Sequence, residues 1–388
     1  MMRSPSVLTF AGFYLPGYKA GGPIQSVANM VAHLGAQFDF RIITRDRDSG
    51  DVSPYPGIIP GQWQNVGMAQ VCYLAQAEQT LRTLTALLRE TPYDLIYLNS
   101  FFHWRLSVLP LLARKLGWMP RRPVILAPRG EFSRGALGLK SGRKRAFLVA
   151  SRILGLHRGI IWHASSEHEA RDIRTIFGAD LQIHVASDLP RAVQSGLLHE
   201  PRASGGAVRV VFLSRIARMK NLNFVLEVLK RVTVPVNLSI VGFIDDAAYW
   251  NECQSLIEKL PPQIKVSYHG MVPAEQVPAV IAKSDVFFLP TLGENFGHVI
   301  IEALGAGTPA LISDRTPWRD LDDAGCGWIL PLGDAQLFAE RIDSLFNETP
   351  EISEGRRRAA INYARRFADD SGVVDANRRL FLRAIQRG

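Results

Sequence analysis

Short apolar runs alternate with amphipathic stretches along this chain, break once, and then begin again. Val7–Phe10, Phe40–Thr44, Val71–Leu74, Leu95–Asn99, Val124–Ala127 and Ile160–Ala164 read as buried strands, with helical patterns such as Pro23–Leu34 and Gln79–Arg89 between them. Strands that alternate with helices build parallel sheets through βαβ units, because a parallel neighbour requires a crossover connection. The rhythm stops at Glu200–Gly206, where Pro201, Ser204, Gly205 and Gly206 have linker chemistry. It resumes with strands at Val208–Ser214, Val236–Val241, Lys265–Tyr268, Val286–Pro290 and Pro309–Ser313, and helices at Asn223–Val232, Ala247–Lys259, Ala274–Lys283 and His298–Ala306. The expected fold is therefore α/β, two doubly wound Rossmann-like domains facing across a cleft. The expected division is 1–200, 207–365 and a C-terminal helix over 366–388 that packs back on the first domain.

A length of 388 residues agrees with two cores, and 47% hydrophobic with 21% charged residues excludes a disordered chain. Cys72, Cys253 and Cys326 are scattered and odd in number, without a CxxC pair, so neither a disulfide framework nor a thiolate metal site is expected. The apolar run Val7–Phe13 is too short for the core of a signal peptide and has no cleavage site after it. A reducing, cytoplasmic location is the expectation, with attachment to the inner face of the plasma membrane as its variant.

In a doubly wound sheet, ligands bind beyond the carboxyl ends of the strands, so the strand-to-helix turns carry the information. The sharpest turn is Glu294-Asn-Phe-Gly-His-Val-Ile-Ile-Glu302, which follows a strand and the loop Thr291-Leu292-Gly293. The N–H groups from Asn295 through Phe296 and Gly297 to His298 lie at a helix start, where unpaired donors and the helix dipole suit a phosphate. On a continuous helix Glu302 would stand roughly 12 Å beyond Glu294, about the span from ribose to sugar in a nucleotide-diphosphate sugar. Glu302 sits among Val299, Ile300, Ile301, Ala303 and Leu304, where a carboxylate is costly unless it is given hydrogen bonds, such as those of a ribose diol. A lone Glu in a helix is more often on an exposed stripe or in an internal ion pair; the surrounding pattern favours a ligand here.

A second turn, Ser214-Arg215-Ile-Ala-Arg218-Met-Lys220-Asn221, places Arg215 and Lys220 past another strand end. Cleavage of a sugar–phosphate bond builds negative charge on the leaving diphosphate, and two fixed cations stabilise that transition state more than the ground state. Arg218 reads as surface charge.

Together, Ser-Arg215-x4-Lys220, the acids Glu294 and Glu302, and Ala303-Leu-Gly-Ala-Gly-Thr-Pro309 resemble the retaining glycosyltransferases of family 4, most specifically over Val210–Leu332. The resemblance implies the GT-B fold. It implies that Arg215 and Lys220 hold the diphosphate, Glu294 meets hydroxyls of the donor sugar, Glu302 meets the ribose, and Asn295, Phe296 and Gly297 offer backbone contacts. It also implies that Gly270, Met271 and Val272 lie against the base, and that Gly21 and Gly22, in the turn after the first strand, face the diphosphate. The sequence departs from the family at Ser214, which replaces a usual glycine and bears on the path of the loop, and at Arg129, where many members have a histidine near the reacting sugar. His103 and Arg129, each past a strand end, are the candidates for the acceptor side of the cleft.

The net charge of +9 is concentrated: between Arg114 and Arg158 there are twelve Arg or Lys residues and one acid, Glu131. Arg143, Lys144 and Arg145 lie in a stretch that mixes cations with apolar residues at helical spacing, which suits an anionic membrane surface as well as a solvated face. No nucleic-acid motif accompanies this charge, so nucleic acid is not an expected partner. Asp46-Arg-Asp48 and Asp320-Leu-Asp322 match a bare DxD pattern but read as surface acids, and no metal or cofactor is expected. The expected partners are a nucleotide-sugar donor of UDP or GDP type and a lipid-linked or oligosaccharide acceptor. The expected activity is sugar transfer with retention of anomeric configuration in exopolysaccharide, capsule or O-antigen synthesis. The alternatives are an epimerase-like nucleotide-sugar enzyme and a non-catalytic subunit of a membrane complex.

Overall fold

The structure, a computed structural model, describes residues 3–133, 137, 141–193, 199, 202–203 and 205–387. The chain divides into two units: Met1–Leu189 with Asp370–Gly388, and Pro190–Asp369.

The first unit carries, among the described residues, an eight-stranded sheet: β1 Ser6–Phe10, β2 Asp39–Arg45, β3 Trp63–Val66, β4 Ala69–Leu74, β5 Leu95–Asn99, β6 Val124–Ala127, β7 Ile161–Ala164 and β8 Ile183–Val185. Its order is β3-β4-β2-β1-β5-β6-β7-β8, parallel except for the β3–β4 pair. The apolar runs are continuous because both faces of the sheet are covered. Val7, Phe40, Ile42, Leu95, Tyr97 and Ile125 belong to one core, and Leu8, Phe10, Ile43, Ile96, Leu98 and Leu126 to the other. Helices α1 Gly22–Leu34, α2 Leu81–Glu90, α3 Leu109–Lys115, α4 Ser141–Ile153 and α5 Glu167–Phe177 connect the strands.

The second unit has a six-stranded, all-parallel sheet among its described residues: β9 Val208–Leu213, β10 Val236–Val241, β11 Ile264–Tyr268, β12 Val286–Leu289, β13 Ala310–Ser313 and β14 Gly327–Leu330. The order is β11-β10-β9-β12-β13-β14. The chain thus builds outward from β9 in one direction, then returns and builds in the other. That reversal opens a crevice between the carboxyl ends of β9 and β12, the place where a doubly wound sheet binds its ligand. Helices α6 Leu222–Leu229, α7 Ala247–Ile257, α8 Val277–Ala282, α9 His298–Gly305, α10 Ala335–Phe346 and α11 Pro350–Ala368 complete the unit.

The C-terminal region forms two helices rather than one, because Asp369 and Asp370 end α11 and start α12, Ser371–Ile385, where Asp370 accepts the Gly372 N–H at 2.8 Å. Helix α12 belongs to the first unit. Phe381 meets the rings of Phe38, Phe40 and Tyr97 edge-on at 5.4, 5.9 and 5.4 Å, and Asn377 Nδ2 donates to the Ser187 carbonyl at 2.8 Å. Asn29 of α1 donates to the Leu189 carbonyl at 2.9 Å, so the unit holds its chain through Leu189. The division therefore falls before the Pro- and Gly-rich stretch. Arg202, inside that stretch, is anchored in the second unit, donating to the Leu345 carbonyl at 2.6 Å and lying 3.6 Å from Asp285.

Candidate active site

Two loops flank the β9–β12 crevice. The first runs from Ser214 through a single 3₁₀ turn at Arg218–Lys220 to Asn221, whose left-handed backbone (φ 62°) ends that turn and starts α6. The second runs from Pro290 to Gly297. They are joined by backbone and side-chain bonds: the Met219 carbonyl accepts from the Leu292 N–H at 2.9 Å and from the Thr291 hydroxyl at 3.0 Å, and Asn221 Nδ2 donates to the Pro290 carbonyl at 2.9 Å. Ser313, at the end of β13, donates to the Thr291 carbonyl at 2.6 Å. This framework presents Lys220 and Glu294 to each other: Nζ and Oε2 are 2.5 Å apart, with side chains 14% and 15% exposed.

Gly297 shapes the turn after Glu294. It has φ 82°, and a Cβ there would stand 2.9 Å from Glu294 Cγ and 2.8 Å from Ile300 Cδ1. Among the described residues, the N–H groups of Asn295, Phe296 and Gly297 make no hydrogen bond, and α9 has no side-chain cap. Phe296 is buried, its ring against His298, Trp318 and Phe367, and its carbonyl accepts Trp318 Nε1–H at 2.7 Å. A fixed backbone with free donors at a helix start is an anion site of the kind the sequence suggests.

Helix α9 begins only at His298, so the spacing of Glu294 and Glu302 is not set by helical rise; that estimate is corrected by the non-helical turn. Glu302 lies on α9 beside a hollow of about 30 Å³ lined by Arg191, Val193, Pro278, Ile301 and Gly305. Its carboxylate makes no hydrogen bond among the described residues, and burial pushes its pKa up to about 7 against the opposing charge of Arg191. Arg215 reaches the turn after β10 and pairs with Asp245 at 2.9 Å, the two being 42% and 35% exposed. Arg218 pairs with Glu252 on α7 and lies over Tyr249, the surface position read for it. Of the four charged residues, the structure brings Lys220 and Glu294 into contact and leaves Arg215 and Glu302 with separate neighbours.

Sequence reasoning passed over Gly242. It follows β10 at φ 139°, and a Cβ there would collide with the Ser214 carbonyl. Gly242 N–H donates to the Gly270 carbonyl at 2.7 Å, and the Tyr268 hydroxyl to the Gly242 carbonyl at 2.9 Å. The loops after β9, β10 and β11 are thereby closed on each other. Gly270, at φ 66°, has open space where a Cβ would stand, Met271 is half-buried, and Val272 packs on the core. A glycine after a strand was the available signal, but it is shared with ordinary turns.

The model of the family described as glycosyl transferases group 1 matches residues 199–367, and that described as the glycosyl transferase 4-like domain matches 21–187. The chain belongs to the family 4, group 1 glycosyltransferases. It is 23% identical to an uncharacterized 41.2 kDa protein in the cps region of Klebsiella pneumoniae, across 73% of this chain and 80% of that one. It is 26% identical to the putative colanic acid biosynthesis glycosyltransferase WcaL of Salmonella typhimurium, across 46% of this chain and 45% of that one. In fold it is similar to the sucrose-phosphate synthase of Thermosynechococcus elongatus (TM-score 0.76, 15% identity, 99% and 100% of the two chains). It is likewise similar to Anabaena Alr3699/HepE in complex with UDP and glucose (TM-score 0.71, 15% identity, 98% and 99%). The two doubly wound units are those of the GT-B fold.

In the glycosyltransferase's first unit, Gly21 (φ 67°) precedes Gly22, the first residue of α1. The turn before them is held by Asp48, whose Oδ2 accepts the N–H groups of Tyr18 at 2.6 Å and Lys19 at 3.0 Å. Asp46 and Asp48 are both buried, which corrects their reading as surface acids; Asp46 pairs with Arg47 at 2.8 Å. Asp320 and Asp322 are exposed as read. Among the described residues no group of three or more His, Cys, Asp or Glu is placed to hold a metal ion.

Arg129 is already partnered within the first unit. Its backbone is left-handed (φ 56°), and its guanidinium is buried against Asp188, with Nη2 donating to the Tyr97 hydroxyl at 2.7 Å and Nε to Asn99 at 3.1 Å. His103 caps the turn at Trp104–Val108, its Nδ1 accepting the Leu106 N–H at 3.0 Å, and its Cδ2 lies 3.1 Å from where a Gly12 Cβ would be. Burial and Arg45 lower its pKa to about 4, so the ring is neutral and Nε2 carries the proton. On α4, Arg143 and Arg145 are exposed together with Val149, Arg152 and Ile153, whereas Lys144 turns inward over the Phe102 ring at 5.3 Å. No helix among the described residues is long and apolar enough to cross a membrane.

Proposed function

We propose that this glycosyltransferase takes a hexosyl group from a UDP- or GDP-type sugar, with retention at the anomeric carbon, and places it on a lipid-linked or other oligosaccharide acceptor in exopolysaccharide, capsule or O-antigen synthesis. The observation that carries this reading is the β9–β12 crevice, where Lys220 and Glu294 meet at 2.5 Å beside the unpaired N–H groups of Asn295 to Gly297. Lys220, Arg215 and those donors bind the diphosphate and stabilise its growing charge. Glu294 accepts hydrogen bonds from donor-sugar hydroxyls, Glu302 from the ribose, and the Gly270–Val272 segment lies against the base. The charge work of Lys220 and Arg215 replaces that of a divalent ion, so turnover proceeds in EDTA. The UDP and glucose of Alr3699/HepE, and the colanic acid biosynthesis in WcaL's name, support the donor and pathway classes. The cations Arg143, Arg145 and Arg152, with Val149 and Ile153, seat the enzyme on anionic lipid beside its acceptor.

Thermal-shift measurements with UDP, GDP, ADP and their common sugars test the donor class, since a ligand of the folded state raises the apparent melting point. Transfer assays on Glu294→Ala test the site: retention of full transfer would remove its role. Liposome flotation tests the lipid surface, and binding that ignores lipid charge or survives loss of Arg143 and Arg145 removes it.

A further inference from the structure

We infer that Glu294 competes with the donor's diphosphate for Lys220, and that this internal competition releases the spent nucleoside diphosphate in preference to the intact donor. The inference rests on the proposed role of the β9–β12 crevice as the donor site.

The Lys220–Glu294 pair is not a chance meeting of two flexible chains. The Glu294 N–H is bonded to the Arg315 carbonyl at 3.1 Å, and the Lys220 N–H to the Ala217 carbonyl at 2.9 Å. Met219, next to Lys220, is tied to Leu292 and Thr291, two and three residues before Glu294. The missing side chain at Gly297 leaves room for Glu294 Cγ. Both charges are largely withdrawn from water. A partly desolvated pair resists loss of one partner, because the remaining charge is left without compensation. Arg215 is different: its bond to Asp245 is in solvent, where such pairs contribute little, and an anion takes Arg215 at almost no cost.

An incoming diphosphate must therefore draw Lys220 away from Glu294. A nucleoside diphosphate alone offers Glu294 nothing in return, and the carboxylate faces a bound anion. An intact donor also brings sugar hydroxyls, whose O–H groups donate to the carboxylate and offset the loss. Once the sugar has passed to the acceptor, that compensation goes with it. Glu294 then reclaims Lys220, the diphosphate loses one of its cations, and the product departs. The same carboxylate thus serves the sugar before transfer and weakens the product afterwards.

Calorimetric titration of UDP and GDP into four proteins tests this: wild type, Glu294→Gln, Lys220→Ala and the double variant. Glu294→Gln keeps the side-chain shape and removes the competing charge, so the nucleotide that binds wild type should bind it about tenfold more tightly. Lys220→Ala should bind about tenfold more weakly. In the double variant the gain from Glu294→Gln should vanish, because it acts only through Lys220. Asp245→Asn, which frees the exposed Arg215, should change affinity by less than about threefold. If Glu294→Gln does not fold, Glu294→Ser removes the same charge and answers the question. Unchanged or weaker binding by the Glu294 variant, with Lys220→Ala weakened, overturns the competition and leaves the donor site standing. Unchanged binding by Lys220→Ala overturns both.

Discussion

Arg129 and Asp188 form an ion pair inside the first unit, with side chains 6% and 3% exposed. The pair ties the turn after β6 to the end of the unit's first segment, Met1–Leu189, and Asp188 also accepts the Ser26 hydroxyl of α1 at 2.8 Å. Asp188→Ala would leave a guanidinium buried with the Tyr97 hydroxyl, Asn99 and the charge of Glu169 as its remaining partners among the described residues. Removing one member of such a pair costs about 3–5 kcal/mol. Urea unfolding followed by the fluorescence of the first unit should show that loss. A change below about 1 kcal/mol would mean that water reaches the guanidinium.

His157 offers a gain. Its ring is stacked on Phe101 at 4.5 Å, neither ring nitrogen has a hydrogen-bond partner among the described residues, and burial lowers its pKa to about 4. The unfolded chain binds a proton near pH 6.5, the folded chain only near 4, so unfolding takes up a proton between these values. The stability that neutral His157 contributes is complete above pH 6.5 and is lost as pH falls towards 4. His157→Phe keeps the stacking and cannot titrate. Relative to wild type it should gain about 1.4 kcal/mol more at pH 5.5 than at pH 8. Equal differences at the two pH values would show that the ring reaches solvent.

Asp48 holds the turn ahead of Gly21 through two backbone N–H groups. Asp48→Ala leaves both donors without their acceptor, at about 1–3 kcal/mol of local stability. Amide exchange of Tyr18 and Lys19 should quicken at least about tenfold, while that of the β1 and β5 amides changes little. Unaltered exchange at Tyr18 and Lys19 would show that the turn holds its shape without the carboxylate.

These residues mark the limit of what was legible. The continuous apolar runs predicted the central strands within a residue or two, because a strand buried on both faces must be apolar at every position. Strands β3, β8 and β14 escaped; all three lie at sheet edges, Trp63–Val66 and Ile183–Val185 are only half-covered and have no apolar run to show, and Gly327–Leu330 is a short run opened by a glycine. The turn residues Arg215, Lys220 and Glu294 stood out because charge beside a strand end needs an explanation, and Glu302 because a carboxylate stands there among apolar helix residues. Arg129 stood out for the same reason, yet turns inward, and so do Asp46 and Asp48, which read as surface acids of a bare DxD pattern. Only tertiary contacts distinguish a charge that waits for a ligand from one already satisfied: Asp48 faces three backbone donors, Glu302 faces none among the described residues. The stretch Pro201–Gly206 looked like a linker by composition, but Arg202 anchors it, and the division of the chain lies where α1 and α12 release it.

Gly297→Ala tests the turn at Glu294. An alanine would have to hold φ 82°, at about 1–2 kcal/mol, and its Cβ would press on Glu294 Cγ and Ile300 Cδ1. Displacing Glu294 should lower kcat/KM for sugar transfer by about tenfold or more, equivalent to about 1.4 kcal/mol of transition-state stabilisation. Unchanged kcat/KM in a folded variant would separate Glu294 from the chemistry.

Glu302 predicts a pH dependence of donor binding. In the ligand-free protein its pKa is pushed up to about 7 by burial, so near neutral pH much of it is protonated. A ribose diol donates two hydrogen bonds and is received best by the ionised carboxylate, so binding should lower that pKa and release a proton. The sign follows: nucleotide affinity rises as pH increases from about 6 to 8 and levels off above the ligand-free pKa. Titrations in two buffers of different ionisation enthalpy at pH 7 would measure the released proton directly. Glu302→Gln, with no proton to release, should bind more weakly at pH 8 and lose the slope. A wild-type affinity that is flat from pH 6 to 8 would show that Glu302 does not ionise on binding.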